Sequence, residues 1–155
     1  MPALNGYPIS ESELAFLREL SLRGARFMVV GMVSAILQGA DTGTRDIDLW
    51  FATTSDGRLS EAAKSVGGLF IWRSNPPCLS GKELDRFDLV NRMNGLNDFE
   101  SEYQRAVDCQ IDDFQVKLLP LERIIVSKQT AGRPKDVAAL PALQAALESN
   151  RYFST

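Results

Sequence analysis

Hydrophobic positions fall into short runs set apart by glycine, proline and small polar residues, and their spacing alternates along the chain between three-to-four and two. Ser10-Glu11-Ser12-Glu13 has capping-box spacing, and Leu14, Leu17 and Leu20 follow as an apolar stripe, so a helix is predicted over 10–23, ended by Gly24. Phe27-Met28-Val29-Val30 reads as a buried strand stopped by Gly31, and Val33 to Gln38 as a short helix closed by Gly39. Asp41-Thr42-Gly43-Thr44 turns the chain into a strand running to Phe51. A helix over 60–66, a strand over 69–73 and a loop through Asn75-Pro76-Pro77 and Ser80-Gly81 come next, followed by a strand over 86–90. The remainder predicts a helix over 99–107, a strand over 115–119, a helix with Pro120 in its first turn that Gly132 breaks, and a last helix from Pro134. Val137, Leu140, Leu143 and Leu147 are spaced to pack that helix on the body, and Pro141 should kink or interrupt it. The expected class is α/β (α+β): one domain over 1–155 with its core at about 27–143, a small mixed sheet and flanking helices.

One strand carries more than a packing pattern. In Thr44-Arg45-Asp46-Ile47-Asp48-Leu49-Trp50-Phe51 the period of two puts Asp46 and Asp48 on one face and Ile47, Leu49 and Phe51 on the core face. Paired carboxylates repel unless a cation sits between them, and hard ions such as Mg²⁺ or Mn²⁺ favour oxygen donors. A D-x-D pair is also what a solvated strand end looks like, so its neighbours decide. Asp88, between Phe87 and Leu89, is a candidate third ligand or an edge-strand residue in water. The turn at Gly31 could bring backbone N–H groups to a phosphate, with Ser34 adding a hydroxyl, or be a plain strand-to-helix turn. Arg123, Lys128, Arg133 and Lys135 make the most basic stretch, suited to phosphate oxygens or to a solvated helix end.

Composition narrows the chemistry. The chain has no histidine, which excludes Ser-His-Asp and Cys-His catalysis and His-containing zinc sites. Cys78 and Cys109 stand far apart, outside any metal or redox spacing. A net charge of −3 offers nucleic acid no global attraction. No apolar run reaches the length of a membrane span, and Met-Pro-Ala-Leu-Asn-Gly lacks the regions of a signal peptide, so a cytoplasmic location is expected.

The order Gly31, then Thr44-Arg45-Asp46-Ile47-Asp48-Leu49, then Phe87-Asp88-Leu89, then Lys128 and Gly132-Arg133-Pro134-Lys135-Asp136 resembles the minimal nucleotidyltransferases of the DNA polymerase beta superfamily, especially the bacterial branch with the toxin components of AbiE-type systems. The resemblance implies transfer of a nucleoside monophosphate from a nucleoside triphosphate to an acceptor hydroxyl, with Asp46, Asp48 and Asp88 as catalytic acids and ligands of Mg²⁺ or Mn²⁺. It implies nucleotide contacts at Gly31, Ser34, Thr44, Lys128, Arg133 and Asp136. The implied acceptor is a small molecule, an RNA such as tRNA, or a protein, and an antitoxin or another protein is the implied partner. One position departs from the family: Gly31 lies between Val30 and Met32 where Gly-Gly or Gly-Ser is usual. That departure favours a second reading, a catalytically degenerate member acting through partner or RNA binding. A D-x-D glycosyltransferase and a haloacid-dehalogenase-type phosphatase are the remaining alternatives.

Overall fold

A computed structural model describes residues 8–153, and the initial Met-Pro-Ala-Leu-Asn-Gly lies outside them. Helix α1 (Glu11–Leu22) begins at the expected capping box, Ser10 accepting from the Glu13 N–H at 3.2 Å while Glu13 accepts from the Ser10 N–H at 2.9 Å. Strand β1 (Phe27–Val30) leads directly into helix α2 (Gly31–Leu37), which starts two residues earlier than the sequence pattern predicts. Then come β2 (Ile47–Phe51), α3 (Arg58–Ser65), β3 (Leu69–Ile71), β4 (Cys78–Ser80) and β5 (Phe87–Val90). The chain continues through α4 (Phe99–Tyr103), β6 (Val107–Ile111), β7 (Phe114–Leu118), α5 (Leu121–Ala131) and α6 (Pro134–Phe153).

Five strands form one mixed sheet in the order β5-β2-β1-β7-β6, while β3 and β4 pair separately as a small antiparallel ribbon. Strand β1 runs antiparallel to β2 and parallel to β7, and β5 lies parallel to β2 at the sheet edge. Both faces of the sheet are covered. On one face Phe27, Val29, Ile47, Leu49, Phe51 and Phe87 bury against α1 and α3; on the other Met28, Val30 and Trp50 bury against α2, α4, α5 and α6. The face that carries Asp48 is therefore a second core over much of its width. Trp50, two residues past Asp48, is 2% exposed, packs edge-on against Phe99 with centroids 5.7 Å apart, and donates its indole N–H to the Asn91 carbonyl at 3.0 Å.

Several expected elements take other forms. The helix over 99–107 is only five residues long, because Val107–Ile111 pairs antiparallel with β7 through the two-residue loop Asp112-Asp113, where Asp112 has φ +50°. The stretch around Pro77 and Ser80 contributes β4 rather than only a loop. Helix α6 runs uninterrupted through Pro141. That proline is exposed, so the Val137 carbonyl it leaves without a helical donor faces water.

Beneath α4 lies the most fully enclosed ion pair among the described residues. Glu102 has a side chain with 0% exposure, receives both ends of the Arg123 guanidinium at 2.7 and 2.8 Å and accepts the Asn97 N–H at 2.9 Å. Glu102→Ala strands a half-buried arginine and a backbone donor, and is expected to cost about 3 kcal/mol, read as a lower urea midpoint at unchanged slope.

Candidate active site

The register of β2 and β5 aligns two of the expected acids. Asp48 and Asp88 are direct partners across the parallel pair, and alternation places both on the α5 side of the sheet with Trp50 and Val90. Asp46 lies just ahead of β2, and its backbone carbonyl accepts the Thr44 hydroxyl at 3.0 Å. Asp46 and Asp88 are exposed, whereas Asp48 is half-buried.

Burial comes first among the causes that push the Asp48 carboxyl up to about 6, followed by the charges of Asp88 and Asp46; Lys128 and Lys135 pull the other way. Burial and Asp46 raise Asp88 as well. Asp48 leans over the start of α2. A Cβ on Gly31 would sit 2.6 Å from the Asp48 Oδ2, and Gly31 has φ +66°, so the close approach and the backbone both require glycine there.

Lys128 on α5 and Arg133 at the α5–α6 junction meet through Asp136. Asp136 is fully buried, accepting from Arg133 Nε at 2.6 Å and Lys128 Nζ at 3.3 Å, and these cations hold its carboxyl below the usual range. It orients two cations and has no surface left for a nucleotide. Gly132 ends α5 at φ +63°, which lets the chain double back so that Asp136 reaches α5.

Ser34 departs from its expected role. Its side chain is completely buried and donates to the Leu119 carbonyl at 2.8 Å, joining α2 to the end of β7, so its hydroxyl is spent inside the second core. Gln38 completes that junction, donating to the same carbonyl at 2.8 Å and accepting the Leu121 N–H at 3.2 Å. Neither contact has a signal in sequence spacing.

Two cavities flank Asp48 and Lys128, which line both. The larger, about 660 Å³, is bounded by Met32, Thr44, Arg45, Asp46 and Lys135. The smaller, about 180 Å³, is bounded by Gly31, Arg92, Asn94, Arg133 and Asp136. Among the described residues no group of three or more His, Cys, Asp or Glu side chains is gathered closely enough to hold a metal ion by itself. The donor set nonetheless fits a hard divalent cation. Its atoms are carboxylate oxygens, and burial together with the neighbouring carboxylate charges raises Asp48 and Asp88, a repulsion that a cation would relieve.

Against solved structures, the crystal structure of ANT(2″)-Ia in complex with adenylyl-2″-tobramycin matches with a TM-score of 0.60, covering 89% of this chain and 88% of that one at 16% sequence identity. That protein is an aminoglycoside nucleotidyltransferase. The fold is nucleotidyltransferase-like. No protein-family model and no curated protein matches the sequence. On this nucleotidyltransferase-like frame Asp46, Asp48 and Lys128 line the larger opening with Arg45 and Lys135, Asp88 lies beside Asp48 across the strand pair, and Arg92, which no sequence motif singled out, lines the smaller opening.

Two outcomes follow for Asp48. Its folded pKa of about 6 lies above the ordinary 3.8, so the folded state holds an extra proton between those values and loses stability as pH rises through the window. The penalty at neutral pH is at most about 3 kcal/mol before solvent screening. Asp48→Asn should therefore be more stable than the wild type at pH 7, the gap closing toward pH 4 in urea midpoints measured across that range. Gly31→Ala should lose more than about 1 kcal/mol and release this pH dependence, since the methyl displaces the Asp48 carboxylate.

Proposed function

We propose that the chain is a metal-dependent nucleotidyltransferase, moving a nucleoside monophosphate from a nucleoside triphosphate to an acceptor hydroxyl with release of pyrophosphate. The observation that carries this reading is the in-register pairing of Asp48 with Asp88, with Asp46 two residues ahead of Asp48 and Lys128 lining the same cavity as Asp46 and Asp48. The likeness to ANT(2″)-Ia supports the transferase class. Asp46, Asp48 and Asp88 would hold Mg²⁺ or Mn²⁺. When bound, such ions neutralise phosphate charge and lower the pKa of an acceptor hydroxyl.

The chain's own residues supply the rest. The larger cavity has room for a nucleotide, and its cations are placed for a triphosphate: Lys128 is steadied by Asp136, while Arg45 and Lys135 have no side-chain hydrogen bond or ion pair among the described residues. Asp88, exposed on an edge strand and raised above its ordinary value by burial and by Asp46, is the carboxylate assigned to accept the proton of an incoming hydroxyl. Arg133 adds positive potential while its hydrogen bonds go to Asp136. No step needs histidine.

Acceptor candidates are a small-molecule alcohol, as in the adenylylated tobramycin of the neighbour, an RNA end such as that of tRNA, or a protein hydroxyl. A toxin role with an antitoxin partner, and membership of the AbiE branch, rest on the ordered sequence motifs. No helix among the described residues is long and apolar enough to cross a membrane. The second reading, a retained fold that binds a partner or RNA, is favoured by Met32, whose side chain occupies the cavity wall beside the glycine turn.

Calorimetric titration of each nucleoside triphosphate, with and without Mg²⁺ or Mn²⁺, separates the two. Metal-dependent binding by the wild type, lost in a folded Asp48→Asn variant, is the expected result. A folded wild type that binds no nucleotide under any of these conditions would sink the transferase reading and leave the partner-binding one.

A further inference from the structure

The smaller cavity contains a cation that the triphosphate site does not use. Arg92 follows the edge strand β5, its side chain is exposed, and it makes no hydrogen bond or ion pair among the described residues. The other cations around this cavity are already engaged, Lys128 and Arg133 both on the buried Asp136. Asp136 is thereby neutralised, and Asp48 belongs to the catalytic acids. The cavity therefore has an unspent guanidinium and no unspent carboxylate.

The backbone around Arg92 is fixed on both sides. Upstream, the Asn91 carbonyl accepts the Trp50 indole N–H at 3.0 Å, out of the second core. Downstream, the Leu96 N–H closes a turn on the Met93 carbonyl at 3.2 Å, and Gly95 lies so near the Thr130 side chain on α5 that a Cβ has no room. Beyond that the Asn97 N–H is held by Glu102, itself clamped by Arg123. An exposed arginine with a free side chain on an anchored loop has its backbone ordered before any ligand arrives. The planar fork of a guanidinium matches a phosphate in bidentate fashion. A cationic acceptor, by contrast, would meet an arginine and no free acid to hold its ammonium groups.

We propose that the smaller cavity is the acceptor subsite, that the acceptor carries a phosphate close to its reacting hydroxyl, and that Arg92 reads that phosphate. This rests on the transferase reading above. The acceptor hydroxyl oxygen forms a bond to the α-phosphorus while the bridging bond to the β-phosphate breaks, its electron pair leaving on pyrophosphate, and the hydroxyl proton passes to Asp88. Asp48, which lines both cavities, lies where the two substrates meet. A phosphorylated sugar and the end of an RNA strand present the same chemistry.

The test titrates ribose 5-phosphate, ribose, a trinucleotide RNA with a free 3′ hydroxyl, and tobramycin into the full chain with Mg²⁺ and a non-hydrolysable triphosphate, using wild type, Arg92→Ala and Arg92→Lys. The phosphorylated compounds should bind the wild type and the other two should not. Arg92→Ala should weaken that binding by about tenfold or more, with nucleotide binding retained and partial recovery in Arg92→Lys. In turnover with labelled triphosphate the same variant should raise KM for the phosphorylated acceptor more than it lowers kcat. Binding of ribose 5-phosphate alone identifies a small phosphorylated acceptor, and much tighter binding of the trinucleotide identifies a strand end. Nucleotide binding without binding of either phosphorylated compound, equal binding in Arg92→Ala, or preference for ribose or tobramycin overturns the inference. If nucleotide binding fails while Arg92-dependent phosphate binding persists, the transferase reading falls and the phosphate site is upheld.

Discussion

A half-buried carboxylate in the space that any side chain at Gly31 would need, with two more carboxylates beside it, is the constraint to which the rest of this protein responds. Asp48 loses hydration to the sheet, gains like charges from Asp46 and Asp88, and is relieved only in part by Lys128 and Lys135. Such a cluster is unfavourable in the folded chain on its own. It persists because the strand beneath it is fixed by packing on both faces, and because the cations opposite are held in place by a carboxylate of their own. Charge at the site thus runs in an ordered alternation from Asp48 to Lys128 to Asp136 to Arg133, with the innermost member of the far pair wholly enclosed.

The two cores have different tasks. One, under α1 and α3, is aliphatic and aromatic packing that holds the sheet together. The other mixes packing with polar anchors: Trp50 to Asn91, Ser34 and Gln38 to Leu119, Glu102 to Arg123 and Asn97. Each of these anchors ties a loop or helix end near the site to a buried partner. The opening around the acids is consequently bordered by segments whose backbone hydrogen bonds are satisfied away from it, leaving side chains free to face a ligand.

Much of this was legible in the sequence. The capping box at Ser10, the strand before Gly31, the acid pair before Leu49 and Pro134 at the start of α6 are local signals, and local physics is what periodicity and capping rules encode. The strand over 107–111, absent from the expected elements, had a readable signal: Val107, Cys109 and Ile111 alternate, as do Phe114, Val116 and Leu118, and Asp112-Asp113 between them is a hairpin loop of two residues. Ser34 was not readable in this way, because a hydroxyl near a glycine turn looks the same whether it faces a phosphate or a carbonyl 85 residues further on. Asp136 was expected at a nucleotide, and only tertiary packing shows it enclosed between Lys128 and Arg133. Arg92 lacks any motif, and its isolation is a property of its surroundings rather than of its own stretch of chain.

Strand β5 supplies Asp88 from the outermost place in the sheet, so one row of hydrogen bonds to β2 fixes its alignment along the backbone. Sliding that strand by a single residue would present Phe87 or Leu89 beside Asp48 and turn the acid away. What opposes the slide lies on the far side of the sheet, where Phe87 is buried edge-on against Phe16 of α1 with ring centroids 4.9 Å apart. The alignment of the acids is thus inherited from an aromatic contact that no substrate touches. Drift in the apolar surface of the first helix would accordingly be felt in the register of the acids before it was felt as lost structure.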